Sequence, residues 1–337
     1  MRKATRHWLW LLALLPVACI LGVAGGLTYY AFTPLEPAQR PLQFSLKAGS
    51  SLKSAARQMA GAGLLEKPAR FVLLARLLGE ATNIKAGNYE IEGPITPLRL
   101  LRKITEGDYT QDVITLVEGW TFQQMRKALD EHSAIRHDTG GLSDTEIVLR
   151  LEISDASLEG WFFPDTYHFS RGSSDMAILR RAHRLMRATL ADQWERRAAG
   201  LPFATPYEGL ILASIIEKET GQAAERRLIA AVFVNRLRMG MKLQTDPSVI
   251  YGLGQSFDGN LRKRDLLADT PYNTYTRTGL PPTPIALPGL ASLNAALNPA
   301  ESDALYFVSR GDGTSHFSRT LSEHDRAVTK YQKSGRR

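Results

Sequence analysis

The run from Trp8 to Phe32, WLWLLALLPVACILGVAGGLTYYAF, carries no charged side chain over 25 positions. A helix of that length exceeds the roughly 20 residues needed to cross a bilayer core, so the sequence predicts a transmembrane helix. Arg2, Lys3 and Arg6 precede the run and Thr33-Pro34-Leu35-Glu36 follows it. The cationic flank stays cytoplasmic, and everything after residue 33 then faces outward. Trp8, Trp10, Tyr29 and Tyr30 stand where interfacial aromatics belong. A cleaved signal peptide has a shorter apolar core, about 7–15 residues, and a small-residue exit that Tyr29-Tyr30-Ala31-Phe32 does not offer. A lipoprotein site at Cys19 is rejected because Pro16 replaces the expected leucine and the apolar run continues past the cysteine.

Cys19 is the only cysteine, so the exported part forms no internal disulfide and no cysteine-based metal site. The 337 residues suit two folded units with appendages, and 44% hydrophobic with 23% charged residues exclude disordered and collagen-like classes. The net charge of +8 includes both termini, leaving the folded portion mildly basic. Outward topology, rather than charge, excludes nucleic acid as a partner.

Pro34, Pro37 and Pro41 make 34–41 a stiff spacer. Leu42 to Leu46 alternates like a strand, and Ser51 can cap a helix carrying Leu52, Ala55, Ala56 and Met59. A helix from Pro68 to Leu78, a strand from Ala86 to Ile91 and a helix from Thr96 to Glu106 complete a small module over 42–111. Its strand-helix-helix-strand order resembles a LysM module, a fold that holds glycans; a packing platform is the plainer alternative. The remainder, 112–332, reads as a larger mixed α/β domain, with a basic tail at 333–337 behind it and 1–33 as cytoplasmic tail and anchor in front. The class is therefore α+β with an N-terminal transmembrane helix.

The sharpest segment is Tyr207-Glu208-Gly209-Leu210-Ile211-Leu212-Ala213-Ser214-Ile215-Ile216-Glu217-Lys218-Glu219-Thr220. Its apolar residues occupy nearly the whole helical circumference, so the helix is buried almost all round. Two glutamates nevertheless sit in its last turn. Glu217 lies on the line of Leu210, Ala213 and Ser214, of which the small Ala213 and Ser214 leave room for a ligand, and Glu219 lies nearly opposite. A carboxyl on an apolar face, at the negative end of a helix dipole, should hold its proton more tightly, as a general acid near neutral pH requires. Pairing with Lys218, Arg226 or Arg227 is the competing structural explanation, and the pattern alone leaves both open.

"Leu-Ala-Ser-Ile-Ile-Glu-Lys-Glu-Thr" at 212–220, "Val-Phe-Val-Asn-Arg-Leu" at 232–237 and "Leu-Gln-Thr-Asp-Pro-Ser-Val-Ile-Tyr-Gly" at 243–252 carry a resemblance. So do "Pro-Tyr-Asn-Thr-Tyr" at 271–275, "Gly-Leu-Pro-Pro-Thr-Pro-Ile" at 279–285, "His-Phe-Ser-Arg-Thr-Leu-Ser-Glu-His" at 316–324 and "Glu-Gly-Trp-Phe-Phe-Pro-Asp-Thr-Tyr" at 159–167. Together they resemble the endolytic murein transglycosylase family, also called YceG-like, over essentially the whole chain. That resemblance implies cleavage of the β-1,4 bond between N-acetylmuramic acid and N-acetylglucosamine without water. One glutamic acid protonates the leaving oxygen, and the muramyl C6 hydroxyl attacks C1 to give a 1,6-anhydro end. The first glutamate of Glu-Lys-Glu-Thr maps to Glu217, with Glu219 as its rival. A tethered hydroxyl removes the need for the second carboxylate that two-carboxylate glycosidases use.

Gln244, Thr245, Asp246, Tyr251, Asn273 and Tyr275, with Glu219, are the substrate-binding candidates. Asp246 also fits a helix N-cap before Pro247, whereas Gln244 suits a hydrogen bond to an N-acetyl group. Glu225 reads as a cap for the following helix, or else a sugar ligand. The Gly279 to Pro288 loop reads as a rigid cleft wall. The spacing of the seven histidines predicts no metal site and no motif implies a cofactor. The resemblance further implies penicillin-binding synthases as partners and a single-pass inner-membrane location with the catalytic part periplasmic. A hydrolytic muramidase, for which Asp246 would be the second carboxylate, and a non-catalytic wall-binding scaffold are the alternatives.

Overall fold

The computed structural model describes residues 21–47, 49–107, 111–153, 155, 157–219 and 221–333. Two compact units divide the chain between Asp112 and Val113, with His168–Arg171 counted in the first.

The first unit contains α1 (residues 21–32), β1 (Leu42–Leu46), α2 (Leu52–Gly61), α3 (Pro68–Leu77), β2 (Gly87–Ile91) and α4 (Pro97–Glu106). The alternation that marks β1 as a strand puts Leu42, Phe44 and Leu46 inward and Gln43 and Ser45 outward. Its antiparallel register with β2 sets Phe44 opposite Tyr89, and their rings stack at 5.4 Å. Ser51 caps α2 by accepting from the Ser54 N–H, and Thr96 caps α4 in the same way ahead of Pro97. Gly107, at φ 81°, ends α4 in the left-handed conformation. Phe71, Tyr89, Leu100 and Ile104 fill the core between these elements.

The transmembrane expectation needs correction. Among the described residues no helix is long and apolar enough to cross a membrane. The described part of the predicted span, residues 21–32, is helical and is named α1. Gly22, Gly25, Gly26 and Thr28 dilute its apolar character. The rest of the predicted span, 8–20, lies outside the described residues, as does the basic tail from 334 onward.

After β3 (Gln111–Thr115), the second unit contains α5 (Phe122–Asp130), β4 (Ile135–Arg136), α6 (Asp144–Leu151), β5 (Thr166–Ser170), β6 (Ser173–Ser174) and α7 (Asp175–Glu195). Then follow α8 (Pro206–Glu219), α9 (Arg226–Arg238), α10 (Asp246–Leu253), α11 (Lys263–Leu267), α12 (Leu290–Leu297), β7 (Tyr306–Ser309), β8 (Ser315–Ser318) and α13 (Leu321–Val328). The mixed α+β class agrees with the sequence reading.

Helix α8 is the axis of this unit. Thr205 and Glu208 bracket its start, the Glu208 carboxylate accepting from the Thr205 N–H at 3.2 Å and the Thr205 hydroxyl from the Glu208 N–H at 3.4 Å. Pro206 follows at the first helical position. Every residue from Gly209 to Ile216 is buried, as the all-round apolar pattern predicts. Leu210, Leu212, Ile215 and Ile216 share one core with Met186 and Leu190 of α7, Ile229 and Phe233 of α9, and Leu293 and Leu297 of α12. The helix cannot shift without disturbing three neighbours, so its last turn is held firmly where it leaves the core.

Candidate active site

Ala213 and Ser214 leave no room beside Glu217 for a sugar, contrary to the sequence reading. Both are fully buried, and the Ser214 hydroxyl donates to the Ile211 carbonyl at 2.7 Å while accepting from the Ile285 N–H at 2.9 Å. The space is taken by the proline-rich segment, which is buried from Pro284 to Gly289 and is more than a cleft wall. Leu287 then exchanges backbone hydrogen bonds with the 119–120 turn: Gly119 N–H to Leu287 O at 2.9 Å, and Leu287 N–H to Trp120 O at 2.7 Å. Lys218 Nζ donates to the Gly119 carbonyl at 3.1 Å. The end of α8, the 118–120 turn and the start of α12 are thereby pinned together.

Glu217 sits at this junction, its side chain 7% exposed. Its Oε2 accepts from the Gly289 N–H at 3.0 Å, at the N-cap of α12, where the helix dipole favours negative charge. Its Oε1 lies 3.9 Å from the guanidinium of Arg226, itself only 15% exposed. Glu118 completes the group. A Cβ on Gly289 would lie 1.9 Å from Glu118 Oε1, so the Glu118 carboxyl rests on the space that the missing side chain leaves. Partial burial raises the Glu118 pKa, the Glu217 charge raises it further, and Arg226 opposes both.

Glu219 faces a different set of partners. Its Oε1 accepts from the Thr245 hydroxyl, and burial raises its pKa, with Thr245 and Arg236 opposing and Asp246 adding to the rise. Tyr275 donates its hydroxyl to Asp246 Oδ1 at 2.5 Å. The Thr245 N–H donates to Thr274 Oγ1 at 3.0 Å, and the Gln244 N–H to the Thr274 carbonyl at 3.1 Å. Four predicted residues, Glu219, Thr245, Asp246 and Tyr275, therefore gather here, away from the Gly289 contact. Thr245, rather than Asp246, holds the N-cap position of α10; Asp246 is the first helical residue and its carboxylate serves Tyr275. Gln244 is exposed at φ 51°, a conformation costly for a side-chain-bearing residue and often kept where function requires it.

Tyr251 belongs to a third group. Its hydroxyl donates to Glu159 Oε2 at 3.1 Å, and Glu159 Oε1 accepts from the Phe122 N–H at 2.9 Å. Glu159 is 5% exposed, and burial pushes its pKa up to about 7 against these hydrogen bonds. The pair lines a cleft of about 870 Å³ together with Gln124, Gln255, Tyr272 and Lys218, the residue next to Glu217. Asn273 is buried. Its amide nitrogen donates to the Asp265, Leu266 and Ala268 carbonyls, and its Oδ1 accepts from the Tyr275 N–H at 2.9 Å, so it shapes its own loop. Glu225 stands at the N-cap position of α9 without capping it; its Oε1 accepts from the Ser315 N–H at 2.7 Å and so ties down β8.

Asp130, His137 and Asp175 converge closely enough to hold a metal ion. Asp175 already accepts from the Asp138 N–H, the Thr139 N–H and hydroxyl, and the Met176 N–H, which identifies it as a clamp on that turn. Glu118 and Glu159 are the carboxylates that sequence reasoning passed over. Glu159 left a trace, a lone charge opening the aromatic run 159–163, whereas nothing local marks Glu118.

Residues 44–330 match the YceG-like family. An endolytic murein transglycosylase of Bacillus subtilis (strain 168) is 30% identical over 92% of this chain and 91% of its own length. Its namesake from Streptococcus pneumoniae (strain D39) is 26% identical over 84% of this chain, which spans only 57% of that longer protein. The crystal structure of a YceG-like protein from Listeria monocytogenes superposes with a TM-score of 0.55 at 29% identity, covering 85% of this chain and 98% of that one. With the match running from the first strand to the last helix, the chain belongs to the YceG-like family.

Proposed function

We infer that the protein is a lytic transglycosylase that cleaves the glycan strands of peptidoglycan internally, leaving 1,6-anhydro-muramyl ends; its relatives bear the name endolytic murein transglycosylase. The observation that carries the assignment of the chemistry to Glu217 is its fixed carboxyl, held by the Gly289 N–H at the start of α12. In this reading Glu217 gives its proton to the glycosidic oxygen as the bond breaks. The resulting carboxylate, stabilised by the Gly289 N–H and Arg226, then takes the proton of the C6 hydroxyl as that oxygen closes on C1. The cleft beside Lys218 is the place for flanking sugars, with Tyr251 and Tyr272 as apolar faces and Gln255 and Gln124 as hydrogen-bonding groups.

The unit over 112–332 acts as the catalytic domain, outside the cytoplasm where its substrate lies and beside the penicillin-binding synthases that produce new strands. The first unit contacts glycan in LysM fashion; a groove of about 1020 Å³ lined by Glu90, Glu92, Arg99 and Arg102 supports this. Mass spectrometry of purified strands digested by the protein tests the central reaction. Anhydro-muramyl ends are the expected products. Reducing muramyl ends alone would establish a hydrolytic muramidase instead, and intact strands would establish a scaffold.

A further inference from the structure

Glu159 is the buried carboxyl that the lytic reaction leaves unused, and it lines the cleft beside Lys218. Its backbone is fixed from two sides. The Glu159 N–H donates to Ser157 Oγ at 3.1 Å, and the next residue, Gly160 at φ 80°, lies so near the proline-rich wall that a Cβ there would come within 2.5 Å of Pro284 Cβ. The side chain then uses its two oxygens on two different elements of the cleft. Oε1 accepts from the Phe122 N–H at the start of α5 at 2.9 Å, and Oε2 from the Tyr251 hydroxyl of α10 at 3.1 Å. Phe122 is itself steadied by its ring, stacked on Phe162 at 5.4 Å. Tyr251 carries the contact on to Tyr272, whose ring it meets edge-on with centroids 4.9 Å apart. Gly252 permits that approach, since a Cβ there would stand 3.0 Å from Tyr272 Cβ. The Thr283 hydroxyl gives its single proton to the Pro284 carbonyl at 2.8 Å, so the Tyr272 hydroxyl donates to Thr283 Oγ1 at 2.9 Å. Thr283 also lies against the Tyr251 hydroxyl.

We propose that Glu159 is a positioning residue for glycan binding: its carboxyl, anchored on the Phe122 N–H, holds the Tyr251 ring in the attitude at which a sugar packs against it. The inference rests on the reading of this cleft as the seat of flanking sugars. A ring held by packing alone turns more freely, and a sugar that binds it must also order it, at a cost in affinity. A hydrogen bond from a carboxyl that is itself fixed removes that cost before the sugar arrives. In this role Glu159 touches no sugar; it acts on affinity through Tyr251 and leaves bond breaking to Glu217. The other titratable groups near the carboxyl are Asp144 of α6 and Tyr207 of α8, and Lys127 and Lys218 line the same cleft.

The test is a double-mutant cycle between Glu159→Leu and Tyr251→Phe, with Glu159→Gln as the conservative variant, read as KM and kcat for purified glycan strands. Glu159→Leu and Tyr251→Phe should each raise KM about threefold to tenfold, the range one hydrogen bond gives, with kcat within about twofold of the wild type. The double variant should be no weaker than either single one, because both remove the same contact. Glu159→Gln should stay near the wild type: its amide oxygen serves the Phe122 N–H, and its amide N–H donates to the Tyr251 oxygen. A second measurement needs neither cleavage nor the leucine variant. Carbon-13 NMR of the Glu159 carboxyl, assigned by its loss in Glu159→Gln, should show its titration, at about 7 in the free protein, moving upward when a β-1,4-linked N-acetylglucosamine tetramer is added, because a sugar over Tyr251 takes further water from the carboxyl. Additive losses in the cycle, or an unmoved titration at saturating tetramer, would overturn the role of Glu159. Failure of the cleft reading has a separate signature, in which the tetramer moves no backbone amide signal of Gln124 or Gln255, and the role of Glu159 falls with it.

Discussion

The last turn of α8 carries two carboxylates, Glu217 and Glu219, whose surroundings differ in kind. Glu217 meets a backbone N–H at a helix start, an arginine at 3.9 Å and the exposed Glu118. Glu219 meets side chains of the 244–275 region, the Thr245 hydroxyl foremost, with Asp246 and Arg236 behind it. Two residues along a helix turn a side chain by about 200°, so neighbours in sequence point into separate environments. One carboxyl is presented to a junction of three segments. The other ties a loop to the core, where loss of its partner would be felt as instability.

The strongest way to break this contrast is Glu217→Gln. Strand cleavage should fall about a hundredfold to ten-thousandfold, the usual contribution of a general acid, with the melting temperature nearly unchanged. If Glu219→Gln produced that loss and Glu217→Gln did not, the roles would be reversed. A second prediction sets a third carboxyl beside these two. Glu159 has an ordinary pKa of 4.5 and one of about 7 in the fold, so the folded state binds its proton more tightly. Its contribution to stability is complete below about pH 4.5 and disappears as pH rises through 7, a loss of about 3 kcal/mol. Urea unfolding between pH 4.5 and 8 should show this decline in the wild type and a shallower one in Glu159→Gln; equal slopes would remove Glu159 as its source.

Glu219→Ala should destabilise the fold by about 1–3 kcal/mol, since the Thr245 hydroxyl loses its acceptor, while cleavage per folded molecule persists. Denaturation midpoints with activity normalised to folded protein would check both halves. The smallest effect belongs to Tyr275→Phe, which deletes only the hydroxyl on Asp246 and should cost about 0.5–1.5 kcal/mol. A large loss of cleavage without loss of stability in that variant would move Tyr275 from scaffold to substrate contact.

Local structure was readable wherever a short stretch decides it. Ser51 was legible as a cap because a cap involves residues three apart. The burial of α8 was legible because apolar residues cover its whole circumference. The loop contacts of Asn273 were not legible, because a turn-rich polar segment looks the same whether its amide binds a sugar or three carbonyls of its own loop. The predicted span misled over its described part because an uncharged stretch was counted whole, although residues 21–32 carry Gly22, Gly25 and Gly26 and no described helix is long and apolar enough to cross a membrane.

By itself the sequence determined the α+β class, the buried helix with two glutamates at its end, and, through long ordered motifs, the family. Periodicity, capping and motif order are properties of neighbouring residues, and the chain displays them without folding. Only the tertiary structure decided what surrounds each carboxyl. It brought Glu118 to Glu217 across about a hundred residues, through Gly289 some seventy residues further on, because electrostatics and hydrogen bonding act through space. It also put Asp246 with Glu219 rather than with Glu217.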